Sequence, residues 1–146
     1  MSMFTHNDCI EFVKENPIGH MATIDKDQPR VRPFGCWFAD KTGFYFQTVA
    51  MKEISCQLAK NPKVEVCFFS SDSILGPILR ITGEVEFLTD IELKRKVLHD
   101  RPYLRNFGVS EKSPELLLFR IPKGKAHFWA LEEIEDSLRP KNIIEF

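Results

Sequence analysis

Two arginines on one predicted strand and a lysine after the next strand are suited to binding an anion. Arg30 and Arg32 are separated by one residue, so the period of two along a strand places both side chains on one face. Lys52 falls in the first turn of the next predicted helix, where a positive charge opposes the helix dipole. A bound phosphate would offset this conflict, because the free N–H groups of a helix start also attract phosphate. The pattern therefore predicts a phosphate site at Lys52, with Arg30 and Arg32 as candidates for further cations.

Each of these residues also has an interpretation that needs no ligand. Arg32 could be a solvent-facing arginine on a strand, and Lys52 could be a solvated lysine neutralised by the glutamate that follows it. Thr48 is better explained as a helix cap than as a ligand, although one hydroxyl can serve both roles. The sequence alone leaves both interpretations open.

Other strand residues admit two interpretations as well. Arg80 lies in the middle of an apolar strand, so its guanidinium needs a partner, either a ligand oxygen or the carboxylate of Glu84 or Glu86. Trp37 and Trp129 could contact a ligand, but a large aromatic side chain on a strand more often packs in the core.

Short strands that alternate with three helices would position these residues. Thr5 or Asn7 can cap a first helix that runs to about residue 16, and Thr48 can cap a second from residue 49 or 50 to residue 60. Thr89 or Asp90 can cap a third helix that runs to about residue 99. Alternation and turn residues predict strands at residues 19–24, 29–38, 44–48, 63–69, 78–88, 116–121 and 125–131, with an edge strand at 143–146.

This order of elements predicts a mainly β fold with inserted helices. Six or seven short antiparallel strands joined by hairpin-length turns favour a small, nearly closed barrel. A barrel of this size fills its lumen with its own side chains. A sizeable ligand would therefore lie outside the barrel, in a groove or at a subunit interface.

Length and composition predict one ordinary globular domain that spans residues 1–146. The net charge of -1 and the pI near 6.4 argue against a nucleic-acid partner, because such binding depends on a basic surface. No window is long and apolar enough for a transmembrane helix, and the first residues do not resemble a secretory signal, so we expect no membrane partner and a cytoplasmic location. The four cysteines and four histidines lack the close spacing of metal ligands, so no metal site is predicted.

Five segments, in their order and spacing, resemble the flavin-binding split barrels related to pyridoxamine 5'-phosphate oxidase. The resemblance covers most of the chain, and its segments are Gly19-His-Met-Ala-Thr-Ile24, Gln28-Pro-Arg-Val-Arg-Pro-Phe34, Gly43-Phe-Tyr-Phe-Gln-Thr48 followed by Lys52, Leu58-Ala-Lys-Asn-Pro62 and Ile81-Thr-Gly-Glu-Val85.

The resemblance implies a six- to seven-stranded split β-barrel that forms a homodimer and binds flavin mononucleotide (FMN) at the subunit interface. By position, Arg32 and Lys52 would bind the phosphate. The isoalloxazine would be lined by Pro33, Phe34 and Gly35, and Gln47 and Thr48 would contact the ring edge or the phosphate.

The C-terminal sequence departs from the true pyridoxamine 5'-phosphate oxidases, which are longer and carry a basic substrate motif, so oxidation of vitamin B6 is not predicted. We expect instead an FMN-dependent oxidoreductase that passes hydride or electrons between a reduced nicotinamide or similar donor and a small acceptor. No catalytic residue can be assigned, because the isoalloxazine would carry the electron chemistry. The alternatives are a non-catalytic flavin-binding or ligand-sensing protein, and a split barrel that binds haem or a deazaflavin.

Overall fold

The computed structural model describes residues 4–70, 72, 76–129 and 143–146, and the structural statements that follow concern these residues. The helices are α1 (His6–Glu15), α2 (Glu53–Lys60) and α3 (Ile91–Asp100), with a 3-10 helix at Pro102–Phe107. The strands are β1 (Ile18–Asp25), β2 (Gln28–Gly35), β3 (Phe38–Asp40), β4 (Gly43–Val49), β5 (Lys63–Phe69), β6 (Ile78–Glu84), β7 (Glu86–Leu88), β8 (Leu116–Ile121), β9 (Gly124–Trp129) and β10 (Ile144–Glu145).

The strands form two antiparallel sheets. The larger has the order β10-β9-β6-β5-β1-β2, and the smaller has the order β3-β4-β8-β7. β2 is an edge strand of the larger sheet, which suits its two prolines, because proline cannot donate a hydrogen bond to a second neighbour. The predicted fold class, mainly antiparallel β with a few helices, is confirmed.

The predicted strand at 29–38 is divided because the chain moves from one sheet to the other. β2 ends at Gly35, and the next N–H, of Cys36, donates to the carbonyl of Pro17 at 2.8 Å, beside the larger sheet. The N–H of Trp37 donates instead to the carbonyl of Tyr45 in the smaller sheet, also at 2.8 Å. The crossover therefore occupies Cys36 and Trp37, and β3 begins at Phe38.

A second crossover divides the predicted strand at 78–88. β6 ends at Glu84 and β7 begins at Glu86, while the N–H of Val85 donates to the carbonyl of Pro62 at 2.8 Å. Gly83, where a bulge was predicted, stays in register with β5. A Cβ at Gly83 would lie 2.6 Å from Cγ2 of Ile121, so the glycine permits a close approach.

The remaining elements follow the sequence closely. Thr5 caps α1 and forms a capping box with Asp8. Asp90 caps α3 by accepting hydrogen bonds from the N–H groups of Glu92 and Leu93. The predicted edge strand at 143–146 is confirmed as β10, which pairs with β9, whereas residues 130 and 131 of another predicted strand lie outside the described residues.

Apolar side chains fill the space between the sheets. Phe44, Phe46, Phe68 and Phe119 are fully buried in one cluster that α1 and α2 also cover. A second cluster lies under α3 and includes Val49 and the buried leucines of β8. The lumen is filled, so a large ligand would have to bind on an outer surface or an edge. Among the described residues, no helix has the length and apolar character needed to cross a membrane.

Candidate functional site

The start of α2 differs from the prediction. The helix begins at Glu53, not at residue 49 or 50, and the N-cap is Lys52, not Thr48. Thr48 does not cap the helix because it stays in β4, where it pairs with Leu117 of β8. The chain then turns through a hydrogen bond of 3.1 Å from the N–H of Lys52 to the carbonyl of Val49.

This arrangement leaves the N-terminus of α2 without a side-chain cap. Lys52 has no oxygen that could accept a hydrogen bond from the first N–H groups, and it makes no capping bond. Its exposed ammonium adds positive charge to the positive end of the helix dipole. The phosphate site at Lys52 stays a prediction, and Lys52 precedes the first turn of α2 instead of lying in it.

Arg32 reaches from β2 to α2 and is not a free surface residue. Its Nη1 donates to Oγ1 of Thr23 at 2.7 Å and to the carbonyl of Met21 at 3.3 Å. Its Nη2 donates to Oε1 of Gln57 on α2 at 2.7 Å. Among the described residues, these bonds leave the Nε–H and one N–H of Nη2 for a further acceptor. These two N–H groups can make the side-on, two-point contact with which arginine binds a carboxylate or a phosphate.

Charge also couples Arg32 to the first turn of α2. Burial lowers the pKa of Arg32, and the neighbouring Arg30 lowers it further, while the carboxylate of Glu53 opposes both effects. Glu53 and Gln57 are four residues apart and therefore share one face of the helix. The guanidinium thus donates to Gln57 in the middle of α2 and lies within electrostatic range of Glu53, the residue that follows Lys52.

Arg30 lies on the same strand face, as predicted, but has a different environment. Its Nε is 3.4 Å from Oδ2 of Asp25, and both side chains are about half exposed. This is an ordinary surface ion pair that contributes little to stability. Arg32 is therefore the better placed of the two arginines to bind a ligand.

The three residues predicted to line an isoalloxazine do not share one face of β2. The ring of Phe34 turns inward and lies 5.9 Å from the ring centroids of Phe46 and Phe119. Pro33 and Gly35 point to the opposite face, by the alternation of the strand. Only the exposed backbone edge of β2 could present all three residues to one ligand, because their side chains diverge.

Gln47 and Thr48 also lie on opposite faces of their strand. The hydroxyl of Thr48 is buried and has no hydrogen-bond partner among the described residues. The predicted helix-cap role of Thr48 is wrong, and its side chain is closed off from any external ligand. Gln47 is partly exposed and accepts a hydrogen bond from Nη1 of Arg101.

Arg101, the C-cap of α3, was not predicted as a site residue but contacts two residues that were. Its Nη2 donates to the carbonyl of Cys36 at 3.0 Å and would lie 3.9 Å from a Cβ at Gly35. The same guanidinium holds Gln47. The C-terminal end of α3 therefore fixes β4 against the end of β2, a tertiary contact that no local sequence pattern indicates.

Of the partners predicted for Arg80, the two carboxylates are wrong, and the ligand oxygen stays a prediction. Oε1 of Glu65, across the strand pair, lies 3.9 Å from its Nε, whereas no ion pair with Glu84 or Glu86 forms among the described residues. The two tryptophans, for which a core position was preferred, are only partly buried. The indole Nε1 of Trp37 donates to Asp100 at 2.9 Å.

A separate cleft of about 530 Å³ lies at the β6–β7 junction and the C-terminus, and is lined by residues such as Glu84, Lys123 and Phe146. Neither Arg32 nor Lys52 contributes to it. The cations at α2 therefore belong to a different surface from this cleft.

Comparisons with known proteins agree with this fold. The family model described as pyridoxamine 5'-phosphate oxidase matches residues 6–130. The crystal structure of a NimC/NimA family protein from Clostridium acetobutylicum is 28% identical, with a TM-score of 0.77, and the match covers 96% of this chain and 92% of that one. No curated protein matches.

Two more distant structures share the fold. A putative pyridoxamine 5'-phosphate oxidase from Listeria innocua is 17% identical with a TM-score of 0.66, over 86% of this chain and 96% of that one. PhzG from Burkholderia lata, crystallised with tetrahydrophenazine-1-carboxylic acid, is 17% identical with a TM-score of 0.65, over 80% of this chain and 70% of that one. The split-barrel prediction is confirmed, and the chain belongs to the pyridoxamine 5'-phosphate oxidase-like family.

Proposed function

We propose that the protein binds FMN and acts as an oxidoreductase between a reduced nicotinamide or similar donor and a small acceptor. The observation that carries the proposal is the fixed guanidinium of Arg32, which retains two N–H donors and lies against α2, the helix whose start has no side-chain cap. Family membership supports the choice of a flavin. When bound, FMN would supply the hydride and electron chemistry.

The residues of this chain divide into two groups in the proposed site. Arg32, Lys52 and the first N–H groups of α2 would bind the phosphate, which suits their charge and the direction of the helix dipole. Pro33 and Gly35 would present the exposed edge of β2 to the isoalloxazine. Gln47 would contact the rim of the ring.

Two predicted residues take narrower roles in this proposal. Phe34 would support the strand from the core side, since its ring packs against Phe46 and Phe119. Thr48 would act only through its backbone, because its hydroxyl is buried. Neither side chain is expected to touch the flavin directly.

A homodimer with FMN at the subunit interface is part of the proposal, and exposed apolar side chains on one sheet face support it. The outer face of β1 and β2 carries Ile18 and Val31, which are 60% and 68% exposed. Apolar side chains that are this exposed favour a subunit interface, where a second copy of the protein would bury them. We expect Val31→Glu to shift the protein from dimer to monomer in light scattering, while Glu84→Lys, a surface control on another strand, should leave a dimer. A monomeric wild-type protein would contradict this part of the proposal.

An absorption spectrum of the freshly purified protein is the first test. A flavin spectrum, with FMN released on denaturation, is expected. A haem spectrum, or a colourless protein that also fails to bind added FMN, would overturn the proposal. Turnover is tested separately, by anaerobic mixing of the FMN-loaded protein with NADH or NADPH. Bleaching of the flavin supports an oxidoreductase, whereas stable oxidised flavin with both donors supports the non-catalytic alternative.

A further inference from the structure

A small pocket lies between the turn that joins β1 to β2 and the C-terminal half of α2. Its volume is about 210 Å³. Pockets for drug-sized ligands measure roughly 300 to 1,000 Å³, so this one suits a ligand of about the size of an amino acid. Arg32 and Lys52 do not line the pocket, which therefore lies apart from the proposed phosphate site. Its polar lining residues are Asp25, Lys26, Cys56, Gln57, Lys60 and Asn61.

Gln57 presents a free amide nitrogen to this pocket. The residue is only 7% exposed, and its Oε1 accepts hydrogen bonds from Thr23 and from Arg32. Because an arginine can only donate, the amide oxygen must face Arg32 and the amide nitrogen must face away from it. Among the described residues, Nε2 makes no hydrogen bond. The pocket therefore offers a donor to an acceptor such as a carboxylate oxygen.

Charges of both signs surround the pocket. Lys26 and Lys60 are exposed, and neither forms an ion pair in the part of the chain that the structure describes. Asp25 contacts Arg30 through Oδ2, which leaves its Oδ1 for a cation. The C-terminal end of α2 adds the negative end of the helix dipole. This arrangement suits a zwitterion, because a carboxylate can face the lysines while an ammonium faces the aspartate.

The thiol in this pocket is the best placed of the four to react. Cys56 is exposed, whereas Cys9 and Cys36 are buried. Burial raises the pKa of the Cys9 and Cys36 thiols to about 12, and burial also raises the pKa of Cys67. Exchange with a disulfide requires the thiolate form, so these three thiols should react slowly. Cys56 and Lys60 are four residues apart and share one face of α2, which puts a cation on the same side as the thiol.

We propose that the pocket binds the amino acid end of a small disulfide of the cystine type, and that Cys56 then forms a mixed disulfide with it. The thiolate of Cys56 attacks one sulfur of cystine. The new S–S bond forms as the S–S bond of cystine breaks, and the other half leaves as a cysteine thiolate, which takes up the proton that Cys56 lost. Cystine is the oxidant, so no further co-reactant is needed.

Each charged group of the bound cysteine has a partner in the pocket. Its carboxylate would accept a hydrogen bond from Nε2 of Gln57 and face Lys26 and Lys60, and its ammonium would face Oδ1 of Asp25. The inference goes beyond the proposed function and does not depend on it, because no flavin takes part in the exchange. A protein that never binds FMN would remove the proposed function and leave this site standing.

The test compares how fast the reduced protein is modified by cystine and by cystamine, which keeps the amines and lacks the carboxylates. Mass spectrometry follows the reaction, and peptide mapping locates it. Each rate is divided by the rate of the same cysteine in urea-unfolded protein, which removes the intrinsic reactivity of the reagent. We expect the normalised rate at Cys56 to be about tenfold higher for cystine than for cystamine. S-methylcysteine, which cannot exchange, should slow the cystine reaction by occupying the pocket.

Substitutions in the lining test the individual groups. Gln57→Glu keeps an acceptor for Arg32 but replaces the Nε2 donor with an anionic oxygen, so it should remove the preference for cystine. Lys26→Asn removes a charge and suits the left-handed backbone at this position, where φ is 61°. Lys26→Asn and Lys60→Gln should each lower the cystine rate about threefold. Lys41→Gln, in the β3–β4 turn, is the control and should leave the rate unchanged.

Four results would each overturn the inference. They are equal normalised rates for cystine and cystamine, no protection by S-methylcysteine, a preference for cystine that persists in Gln57→Glu and in both lysine variants, and modification of Cys67 at least as fast as that of Cys56. Melting temperatures near the wild-type value ensure that lost reactivity reflects the pocket and not unfolding. If Gln57→Glu melts early, the two lysine variants decide the result.

Discussion

Arg32 and Arg80 lie on strands of the same sheet, yet the fold gives them opposite surroundings. Arg32 is on the inner face at the edge strand, where Thr23, Gln57 and a backbone carbonyl hold its guanidinium. Arg80 is on the outer face of a central strand, with only a carboxylate at 3.9 Å. An arginine fixed before its ligand arrives loses little side-chain entropy on binding. The first environment therefore lowers the entropic cost of binding an anion, whereas the second leaves Arg80 with a weak ion pair, and a mobile guanidinium would lose more entropy on binding.

The largest expected effect comes from removing the fixed guanidinium. Arg32→Ala should weaken FMN binding roughly 100-fold, because about two charge-assisted hydrogen bonds to the phosphate are lost. Arg32→Lys should recover only part of the affinity, since an ammonium cannot make the side-on contact. Fluorescence titration of FMN measures both. Arg30→Ala, on the same face of β2, is the matched control and should stay within about twofold of wild type.

Lys52→Ala should weaken FMN binding roughly tenfold, because one exposed charge at the helix start is lost. Lys60→Ala removes a lysine from the other end of α2 and should leave FMN affinity unchanged. Equal losses in both variants would show that general surface charge, not position, attracts the flavin. Repeating the titration at high salt separates these cases, because screening reduces the contribution of an exposed charge.

Gln57→Ala tests whether the fixed position of Arg32 matters. The substitution removes the acceptor of Nη2 but leaves the charge of Arg32 in place. FMN affinity should fall by a factor of about 3 to 5, and the free energy of unfolding should fall by about 1 kcal/mol. If the unfolding energy falls and FMN affinity does not, Arg32 is held for stability alone.

Thr48→Val should have the smallest effect on FMN affinity. Unlike Gln57→Ala, it should not lower the free energy of unfolding. The buried hydroxyl has no partner, so a methyl group of similar shape should leave the protein equally stable or more stable by about 1 kcal/mol. FMN affinity should stay within about twofold of wild type. Denaturant unfolding and FMN titration check the two expectations, and a large loss of FMN affinity would return the hydroxyl of Thr48 to the site.

Local patterns in the sequence predicted most elements of the fold. The periodicity at 63–69 gave β5 with its observed bounds, and the cap signals placed α1 and α3 within about a residue. Both crossovers were missed, because alternation continues through Cys36 and through Val85 while only the hydrogen-bonding partner changes. A change of partner leaves no mark on the period of the side chains.

The candidate site was less predictable, because tertiary contacts decide it. Thr48 has the residue type of a helix cap, but pairing with β8 keeps it in the strand and moves the helix start to Glu53. Arg101 is brought to Gln47 by the packing of α3, over a separation of 54 residues. The contact of Arg32 with Gln57 is likewise formed by two elements whose relative position the sequence did not specify.

The central claim is that Arg32 and Lys52 bind the phosphate of FMN, and paired titrations of the flavin-free protein with FMN and with riboflavin test it most directly. Riboflavin keeps the isoalloxazine and lacks the phosphate. We expect wild-type protein to bind FMN roughly 100-fold more tightly than riboflavin, with the preference nearly lost in the Arg32→Ala/Lys52→Ala double variant. Equal affinity of the wild-type protein for both flavins, or an unchanged preference in the double variant, would contradict the account.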